Sequence, residues 1–317
     1  MREILNTIKN YNTIIIHRHS RPDMDAIGSQ VGLKLTLKEM FPEKNIYAVG
    51  DINNMSYQAV MDDVSDKMYQ DALAIITDVS VSKMISDDRY VFAKDRIIID
   101  HHTNDTDVDN VLIFYRDDSY NSACEMIIDM FRQENIAIPQ EAATYLYGGM
   151  VTDSGRFMYL KEAERTFALA SYVAKFKPKI SHFYDYLYTE TLERRMLKNK
   201  FQHFEQTEAH VAYRITSYQE ILNSGVDFQS ISRGMVNLMA GIKEIPIWGS
   251  FCEDESGNYI AELRSRHIPI VDVAKKYGGG GHLNACGATL SSFDEVHQML
   301  QDLNIEKQKY EQEGKKR

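Results

Sequence analysis

Histidine and aspartate side chains follow three short apolar runs in the first half of the chain. The runs and the side chains after them are residues 13–16 before His19, residues 72–77 before Asp78, and residues 97–99 before Asp100, His101 and His102. The runs alternate with longer amphipathic segments, which predicts a largely parallel α/β sheet covered by helices. Because ligands of open parallel sheets collect at the carboxyl ends of the strands, we expect these side chains to share one crevice.

The segment that begins at His19 places an imidazole and two carboxylates, Asp23 and Asp25, past the end of the first predicted strand. This spacing allows His19 and Asp23 to reach one metal ion while Asp25 reaches a second. A purely structural alternative carries equal weight. In that alternative the segment is a polar turn, and Asp25 is the N-cap of a helix over residues 26–40.

Two adjacent histidines after an isoleucine run, His101 and His102, have no common structural use. One imidazole can bind a metal ion while its neighbour, which points elsewhere, meets the substrate. Asp78 alone is a weaker signal, because an aspartate after an apolar run is usually a turn residue or a helix cap. Asp153 adds a carboxylate in a predicted loop. Together these side chains form a mixed nitrogen and oxygen set that suits manganese, and suits magnesium less well because magnesium prefers oxygen and water.

Length and composition exclude several classes of protein. At roughly 150 residues per domain, 317 residues predict two domains. A content of 44% hydrophobic and 26% charged residues excludes a disordered, collagen-like or coiled-coil chain. Acidic residues (46) outnumber basic ones (36), and the formal net charge of −10 disfavours a protein that grips long nucleic acid through its phosphates.

The cysteines and the hydropathy pattern indicate the compartment. Cys124, Cys252 and Cys286 are far apart and form no Cys-x-x-Cys pair, which argues against a disulfide framework and against a thiolate zinc site. No stretch approaches the roughly 20 apolar residues that are needed to span a bilayer. We therefore expect a cytoplasmic protein without a membrane segment.

The pattern of elements divides the chain into a first domain over residues 1–185, a charged helical connector over residues 186–209, and a second domain over residues 210–317. In the helix over residues 26–40, Gly28 and Gly32 are expected to let the helix lie close to the sheet. The second domain combines short strand-like runs with a run of four glycines, residues 278–281. The last dozen residues predict a frayed charged tail.

As a set, these motifs resemble the DHH phosphoesterase superfamily, which is named for the triplet seen here at residues 100–102. The first motif of the superfamily corresponds to residues 19–25, the second to Asp78 and the fourth to Asp153. The second half is similar to the DHHA1 substrate domain, through residues 264–266 and 278–282. The length and the His-x-x-Pro-Asp-x-Asp form most resemble the NrnA-like branch, the nano-RNases and pAp phosphatases. The resemblance implies a parallel-sheet DHH domain and a smaller α/β DHHA1 domain joined by a helical connector.

For the first domain, the resemblance implies two divalent metal ions, with Mn²⁺ favoured over Mg²⁺ and Asp78 as the bridge between them. The implied ligands are His19, Asp23 and Asp78 for one ion, and Asp25, Asp78, His101 and Asp153 for the other. A hydroxide activated by both ions would attack phosphorus in line. His102 would contact the scissile phosphate or protonate the leaving oxygen, so that Asp78, His101 and His102 are the implied catalytic residues. Asp100 would orient a histidine by accepting a ring N–H.

For the second domain, the resemblance implies recognition of the part of the nucleotide that does not react. The implied substrate-binding residues are Arg264, Arg266, Gly279, Gly280, Gly281 and His282. The arginines can make bidentate contacts to phosphate, and the glycines let backbone N–H groups approach an anion. A flexible turn is the alternative for a lone glycine run. A phosphate clamp at a fixed distance from the metals would select short substrates.

The resemblance thus implies a phosphoric ester hydrolase that acts on very short nucleic acids. It would degrade di- to pentaribonucleotides to mononucleotides, and convert 3′-phosphoadenosine 5′-phosphate (pAp) to AMP and phosphate. Two alternatives stay open: a phosphodiesterase for the linear dinucleotide pApA in cyclic di-AMP turnover, and a nucleotide-binding regulator without turnover. The expected partners are short RNA and nucleotides, without long duplex nucleic acid or a membrane, and a homodimer is left open.

Overall fold

The computed structural model describes residues 2–53 and 56–314, and the chain divides into two compact units, Met1–Thr189 and Glu190–Arg317. The first unit contains a parallel sheet and the second a mixed sheet, and helices accompany both. The predicted α/β fold is therefore confirmed. Among the described residues, every helix is too short or too polar to cross a membrane.

In the described residues of the first unit, five parallel strands form one sheet. The strands are β1 Thr13–His17, β2 Asn45–Ala48, β3 Leu73–Thr77, β4 Asp95–Asp100 and β5 Val111–Arg116. Their order in the sheet is β2-β1-β3-β4-β5. The central strands are runs of isoleucine that are buried on both faces, as parallel strands covered on both sides must be.

Helices cover one face of this sheet, and loops with short 3₁₀ turns cover the other. The helices of this unit are α1 Arg2–Lys9, α2 Met24–Met40, α3 Ala123–Gln133, α4 Gln140–Asp153, α5 Ala163–Ala174 and α6 Ile180–Tyr188. Helices α2 and α3 contact the strands, while α4, α5 and α6 pack against other helices. Ile14 and Ile16 pack in the core on the helix side, while Ile15 packs on the opposite side with Tyr69 and Tyr90. The alternation follows from the two-residue period of a strand.

Helices α2 and α4 are in close contact, and glycines of α2 make that contact possible. A Cβ atom at Gly28 would lie 2.5 Å from the carbonyl oxygen of Tyr145, and one at Gly32 would lie 2.5 Å from Cγ of Leu146. Both neighbours belong to α4. The expectation that these glycines serve contact with the sheet was wrong, because the surface they fit is another helix.

The second unit has a six-stranded mixed sheet in its described residues. Its elements are α7 Leu192–Lys200, β6 Glu205–Gln206, β7 Val211–Thr216, α8 Tyr218–Leu222, α9 Phe228–Ser232, β8 Ile247–Glu253, β9 Tyr259–Ser265, α10 Val271–Lys276, β10 Gly280–His282, β11 Ala285–Leu290 and α11 Phe293–Gly314. The strand order is β10-β11-β9-β8-β7-β6, and β7 and β8 form the parallel pair.

One face of the second sheet packs against α10 and α11 through a cluster that includes Phe251, Leu263 and Leu303. The opposite face carries Glu262 and Arg264, which alternate with Leu263 along β9. Two sequence expectations change here. Helix α11 continues to Gly314, so most of the predicted frayed tail is helical, and α7 covers only part of the predicted helical connector.

The close contact between α2 and α4 yields a stability prediction. Gly28→Ala should lower the free energy of unfolding by about 1–3 kcal/mol, because the new methyl group collides with backbone of α4 and the helices must separate. Urea unfolding followed by circular dichroism measures this change. Lys38→Ala on the exposed side of α2 is the control, with an expected change within about 0.5 kcal/mol. Equal stabilities of the two variants would contradict the prediction.

Candidate functional site

Three adjacent strands of the first sheet, β1, β3 and β4, end beside one another, and each delivers ionisable side chains to the same edge. The side chains that meet there, from these strand ends and from α2 and α4, form what we call the histidine–aspartate cluster: His19, Asp23, Asp25, Asp78, His101 and Asp153. All members of the cluster except the buried Asp25 line a cleft of about 270 Å³. The convergence expected from the strand ends is thus present in the fold.

Asp78 lies at the centre of the cluster. Its Oδ2 is 3.4 Å from Nε2 of His19, and its Oδ1 is 3.3 Å from Nε2 of His101. The side chain is 2% exposed, and its Oδ1 accepts no hydrogen bond from the described residues. The backbone adopts a positive φ of 61° while its N–H donates to the carbonyl of Ile99. Asp78 therefore faces both histidines from a strained and fully enclosed position.

The two aspartates at the start of α2 have different roles. Oδ1 of Asp23 accepts the N–H groups of Asp25 and Ala26, so Asp23 is the N-cap, and the structural alternative that gave the cap to Asp25 was wrong. Asp25 points inward and accepts from Ala123 N–H at 2.7 Å and Cys124 N–H at 2.9 Å. These donors form the N-terminus of α3, where the helix dipole favours a negative charge.

Asp153 is the last residue of α4, whereas the sequence predicted a loop. The helix ends in a Schellman motif. The N–H of Arg156 donates to the carbonyl of Val151, and the N–H of Gly155 donates to the carbonyl of Thr152. Gly155 has the positive φ, 57°, that this motif requires. This termination holds Asp153 at the cleft, with its Oδ2 3.6 Å from Nε2 of His101.

His102 differs from His101 in exposure and in partner. Its Nδ1 lies 2.8 Å from Oδ1 of Asp100, and its side chain is 52% exposed at the cleft. Asp100 thus contacts a ring nitrogen of His102, which lies outside the histidine–aspartate cluster. This contact fixes Nδ1 as the donor and leaves Nε2 of His102 available to a bound molecule.

A buried arginine holds the segment that carries His19, and sequence reasoning missed it. Arg18 is fully buried and donates to the carbonyl of His19 at 2.9 Å and to Oδ1 of Asp51 at 3.1 Å. The other carboxylate oxygen of Asp51 accepts the N–H of Arg21. Because Asp51 is 33 residues from Arg18 along the chain, no local pattern indicates this pair.

The crowded charges of the cluster change its protonation. Burial opposes the positive charge of His19, but contacts with Asp23 and Asp78 raise its pKa to about 11. Burial likewise opposes the charge of His101, and Asp78 and Asp25 raise its pKa to about 9. Burial and the neighbouring charges of Asp78 and Asp153 raise the pKa of Asp25 well above its ordinary value. Protons therefore occupy positions where cations would be stable.

The residues of the cluster fit divalent cations. Among the described residues, no group donates a hydrogen bond to the buried Oδ1 of Asp78, and a cation would be a suitable partner for this atom. Ligand atoms lie within 4.8 Å of one another in each of two sets, His19 with Asp23 and Asp78, and Asp25 with His101 and Asp153. A third set at the same spacing joins Asp78, His101 and His102. Mixed imidazole and carboxylate donors suit Mn²⁺.

A second candidate site lies in the second unit, in what we call the glycine groove, a cavity of about 630 Å³. Its main lining residues are Arg233, Glu262, Arg264, Tyr277, Gly278, Gly279, Gly280, Gly281 and His282. Gly281 has a φ of 131°, and a Cβ atom there would lie 2.7 Å from the carbonyl oxygen of Ala285. Arg264, the glycines and His282 were expected from the sequence, whereas Arg233 was not.

Arg266, which the resemblance implied as a substrate-binding residue, is not among the residues that line this groove. Its guanidinium donates to the backbone carbonyls of Ile242 and Lys243, and its backbone N–H donates to Pro246. Arg266 therefore stabilises the turn before β8. A residue two positions after Arg264 would share its face in a continuing strand, but β9 ends at Ser265.

Both halves of the chain match known protein families. Residues 13–150 match the family model described as "DHH family, N-terminal domain", and residues 218–307 match the model described as "DHHA1 domain". A Streptococcus mutans protein named "Probable bifunctional oligoribonuclease and PAP phosphatase NrnA" is 35% identical, over 95% of this chain and 97% of its own. The Bacillus subtilis "Bifunctional oligoribonuclease and PAP phosphatase NrnA" is 33% identical, over 95% and 96%.

Among solved structures, the chain is similar to an exopolyphosphatase-related protein from Bacteroides fragilis. The TM-score is 0.81 at 22% sequence identity, and the match covers 97% of each chain. At this identity the structural similarity shows a shared fold.

The raised pKa values of the cluster predict that metal binding displaces protons. Since the pKa values of His101 and Asp153 are raised to about 9 and about 6, lowering the pH through this interval should weaken Mn²⁺ binding. Calorimetric titration with Mn²⁺ in buffers of different ionisation enthalpy should report net proton release near neutral pH. Binding that is independent of pH over the same interval, with no proton release, would contradict the assignment of these groups as ligands.

Proposed function

The chain belongs to the DHH family, in the branch whose curated members are named bifunctional oligoribonuclease and PAP phosphatase, and on that premise we propose that it hydrolyses short RNA and pAp. The protein is a phosphoric ester hydrolase. The observation that carries the proposal is the central position of Asp78, with one carboxylate oxygen near His19 and the other near His101. A carboxylate in this position is able to bridge two cations.

We propose that the cluster holds two divalent cations, with Mn²⁺ favoured. The proposed ligands are His19, Asp23 and Asp78 for one ion, and Asp25, Asp78, His101 and Asp153 for the other. When bound, such ions neutralise phosphate oxygens and lower the pKa of water at the site. The chain contributes rigid positions: Asp25 is held by the N-terminus of α3, and His19 is held through its carbonyl by Arg18.

His102 is the proposed partner of the reacting phosphate. Its Nδ1 is held by Asp100 and its half-exposed side chain lines the cleft, so its Nε2 is left to donate a hydrogen bond to a phosphate oxygen or a proton to the leaving oxygen. Hydrogen bonding to Asp100 raises the pKa of His102, and this favours the protonated, donating form near neutral pH. Asp100 acts through His102 and is a positioning residue.

The glycine groove is the proposed binding site for the phosphate groups that do not react. Arg264 offers guanidinium N–H groups, the glycines allow close approach of backbone N–H groups, and His282 adds a further donor. A groove of this volume is large enough for a mononucleotide. The acidic balance of the chain agrees with this choice, since a net charge of −10 does not attract a polyanion along its length.

A panel of substrates tests the function directly. Purified protein with Mn²⁺ should release phosphate from pAp and mononucleotides from di- to pentaribonucleotides, and the rate should fall steeply as the RNA is lengthened. The panel should include pApA and cyclic di-AMP, so that a preference for dinucleotides is visible. Degradation of long single strands together with failure on every short substrate would overturn the proposal.

Two substitutions connect this activity to the cluster. Asp78→Asn and His101→Ala should each lower kcat on pAp and on dinucleotides by more than the roughly 10-fold to 100-fold expected for loss of an outer hydrogen-bond partner. An amide at position 78 cannot bridge two cations, and the alanine removes an imidazole that faces three carboxylates. Asp272→Asn, whose side chain is 90% exposed in the second unit, and His203→Ala are matched controls that should retain activity.

The contact between Asp100 and His102 gives a separate prediction. Asp100→Asn should lower kcat by roughly 10-fold to 100-fold with little change in KM, because His102 loses the acceptor that fixes its ring. The pKa of His102 should also fall, so the alkaline limb of the kcat profile should move to lower pH. Steady-state kinetics across pH measures both effects. An unchanged pH profile would show that Asp100 does not act through His102.

A further inference from the structure

One carboxylate in the glycine groove joins two guanidinium groups. Oε1 of Glu262 accepts from Nε of Arg233 at 2.8 Å, and its Oε2 accepts from a terminal nitrogen of Arg264 at 3.3 Å. Glu262 is 8% exposed, whereas the side chain of Arg233 is 67% exposed along the groove. The two arginines come from different elements, since Arg264 lies on β9 and Arg233 follows α9.

Both guanidinium groups keep donors for a ligand. Arg233 uses Nε for Glu262, and its two terminal nitrogens have no partner within the described part of the chain. Arg264 directs one terminal nitrogen to Glu262 and to the carbonyl of Leu263, which leaves its other nitrogens free of partners among the same residues. Planar guanidinium edges with free N–H groups match the oxygens of a phosphate.

The charges of the groove favour an anion. Glu262 neutralises one of the two arginines, and no other described residue that lines the groove carries a carboxylate. Water screens the exposed guanidinium of Arg233, so its pair with the buried carboxylate of Glu262 adds only modestly to stability. The pair therefore serves better to fix where the Arg233 guanidinium stands than to hold the fold together.

We propose that Arg233 is a second phosphate-binding side chain of the glycine groove, held beside Arg264 by Glu262, and that it makes the groove select phosphorylated over unphosphorylated nucleotides. The inference rests on the proposed function, because it assigns Arg233 to the substrate of that function. It adds a specificity-determining residue, Arg233, and a positioning residue, Glu262. Neither follows from the glycine and arginine motifs of the sequence.

The single tryptophan of the chain allows a direct test. Trp248 on β8 is the register partner of Arg264 on β9, so its fluorescence reports on this face of the second sheet. Full-length protein is titrated with AMP and with adenosine in a buffer without divalent cations, and the dissociation constants are compared. Arg233→Gln should weaken AMP binding about tenfold and leave adenosine binding unchanged.

Arg195→Gln is the matched control. Arg195 is 63% exposed, pairs with Glu190 and lies in the same unit outside the groove, so it resembles Arg233 in exposure and in having a carboxylate partner. This control should bind AMP like the wild type. Equal AMP affinities for the wild type, Arg233→Gln and Arg195→Gln would overturn the inference.

Glu262→Gln distinguishes positioning from a purely structural role. If Glu262 acts by holding Arg233, the double variant with Arg233→Gln should bind AMP no more weakly than Arg233→Gln alone, since the two side chains act as one unit. Additive losses would contradict that role. If Arg233→Gln weakens AMP binding but the wild type does not hydrolyse pAp or short RNA, the proposed function fails while the assignment of Arg233 to a bound phosphate stands. If hydrolysis is present and Arg233→Gln binds AMP normally, only the further inference fails.

Discussion

Like charges held out of water are the constraint that shapes the first unit. Asp25 and Asp78 are almost completely buried. Asp23 lies beside His19, and Asp153 lies beside His101. Buried carboxylates at this spacing repel one another and lose hydration, so the fold must supply positive charge from several directions. The N-terminus of α3 supplies partial charge to Asp25, protonated His19 and His101 supply full charge, and divalent cations would supply more.

The same constraint explains why the scaffold is rigid where it meets the cluster. The ligand side chains come from strand ends, a helix start and a helix end, and each of these is fixed by contacts away from the cluster. Helices α2 and α4 bring Asp25 and Asp153 to one place through contacts that leave no room for a Cβ atom at Gly28. Arg18 and Asp51 fix the segment that carries His19. If these supports were looser, the carboxylates could move apart and relieve their repulsion, and the cation site would be lost.

The sequence predicted those features whose signals are local. The isoleucine run before Asp100, His101 and His102 predicts a buried strand with these side chains at its end. The structure has both the strand and the side chains in that position. Features that depend on contacts distant in sequence were not predictable. Three such contacts join residues far apart in sequence: Arg18 with Asp51, Gly28 with helix α4, and Glu262 with Arg233. The motif gives the spacing between Arg264 and Arg266 but not the point where β9 ends, so it did not indicate that only Arg264 lines the groove.

The two units handle charge in opposite ways, and this difference suits two tasks on one class of molecule. In the first unit, carboxylates are enclosed, so a cation would be attracted strongly and would reverse the charge that an approaching phosphate meets. In the second unit, the carboxylate of Glu262 is the enclosed partner, and the guanidinium of Arg233 is left in water with free donors. A reacting phosphate needs an environment that responds to the charge developing on it, which enclosed cations provide. A phosphate that is only recognised must bind and leave within each turnover, and exposed guanidinium groups allow this because water weakens their hold.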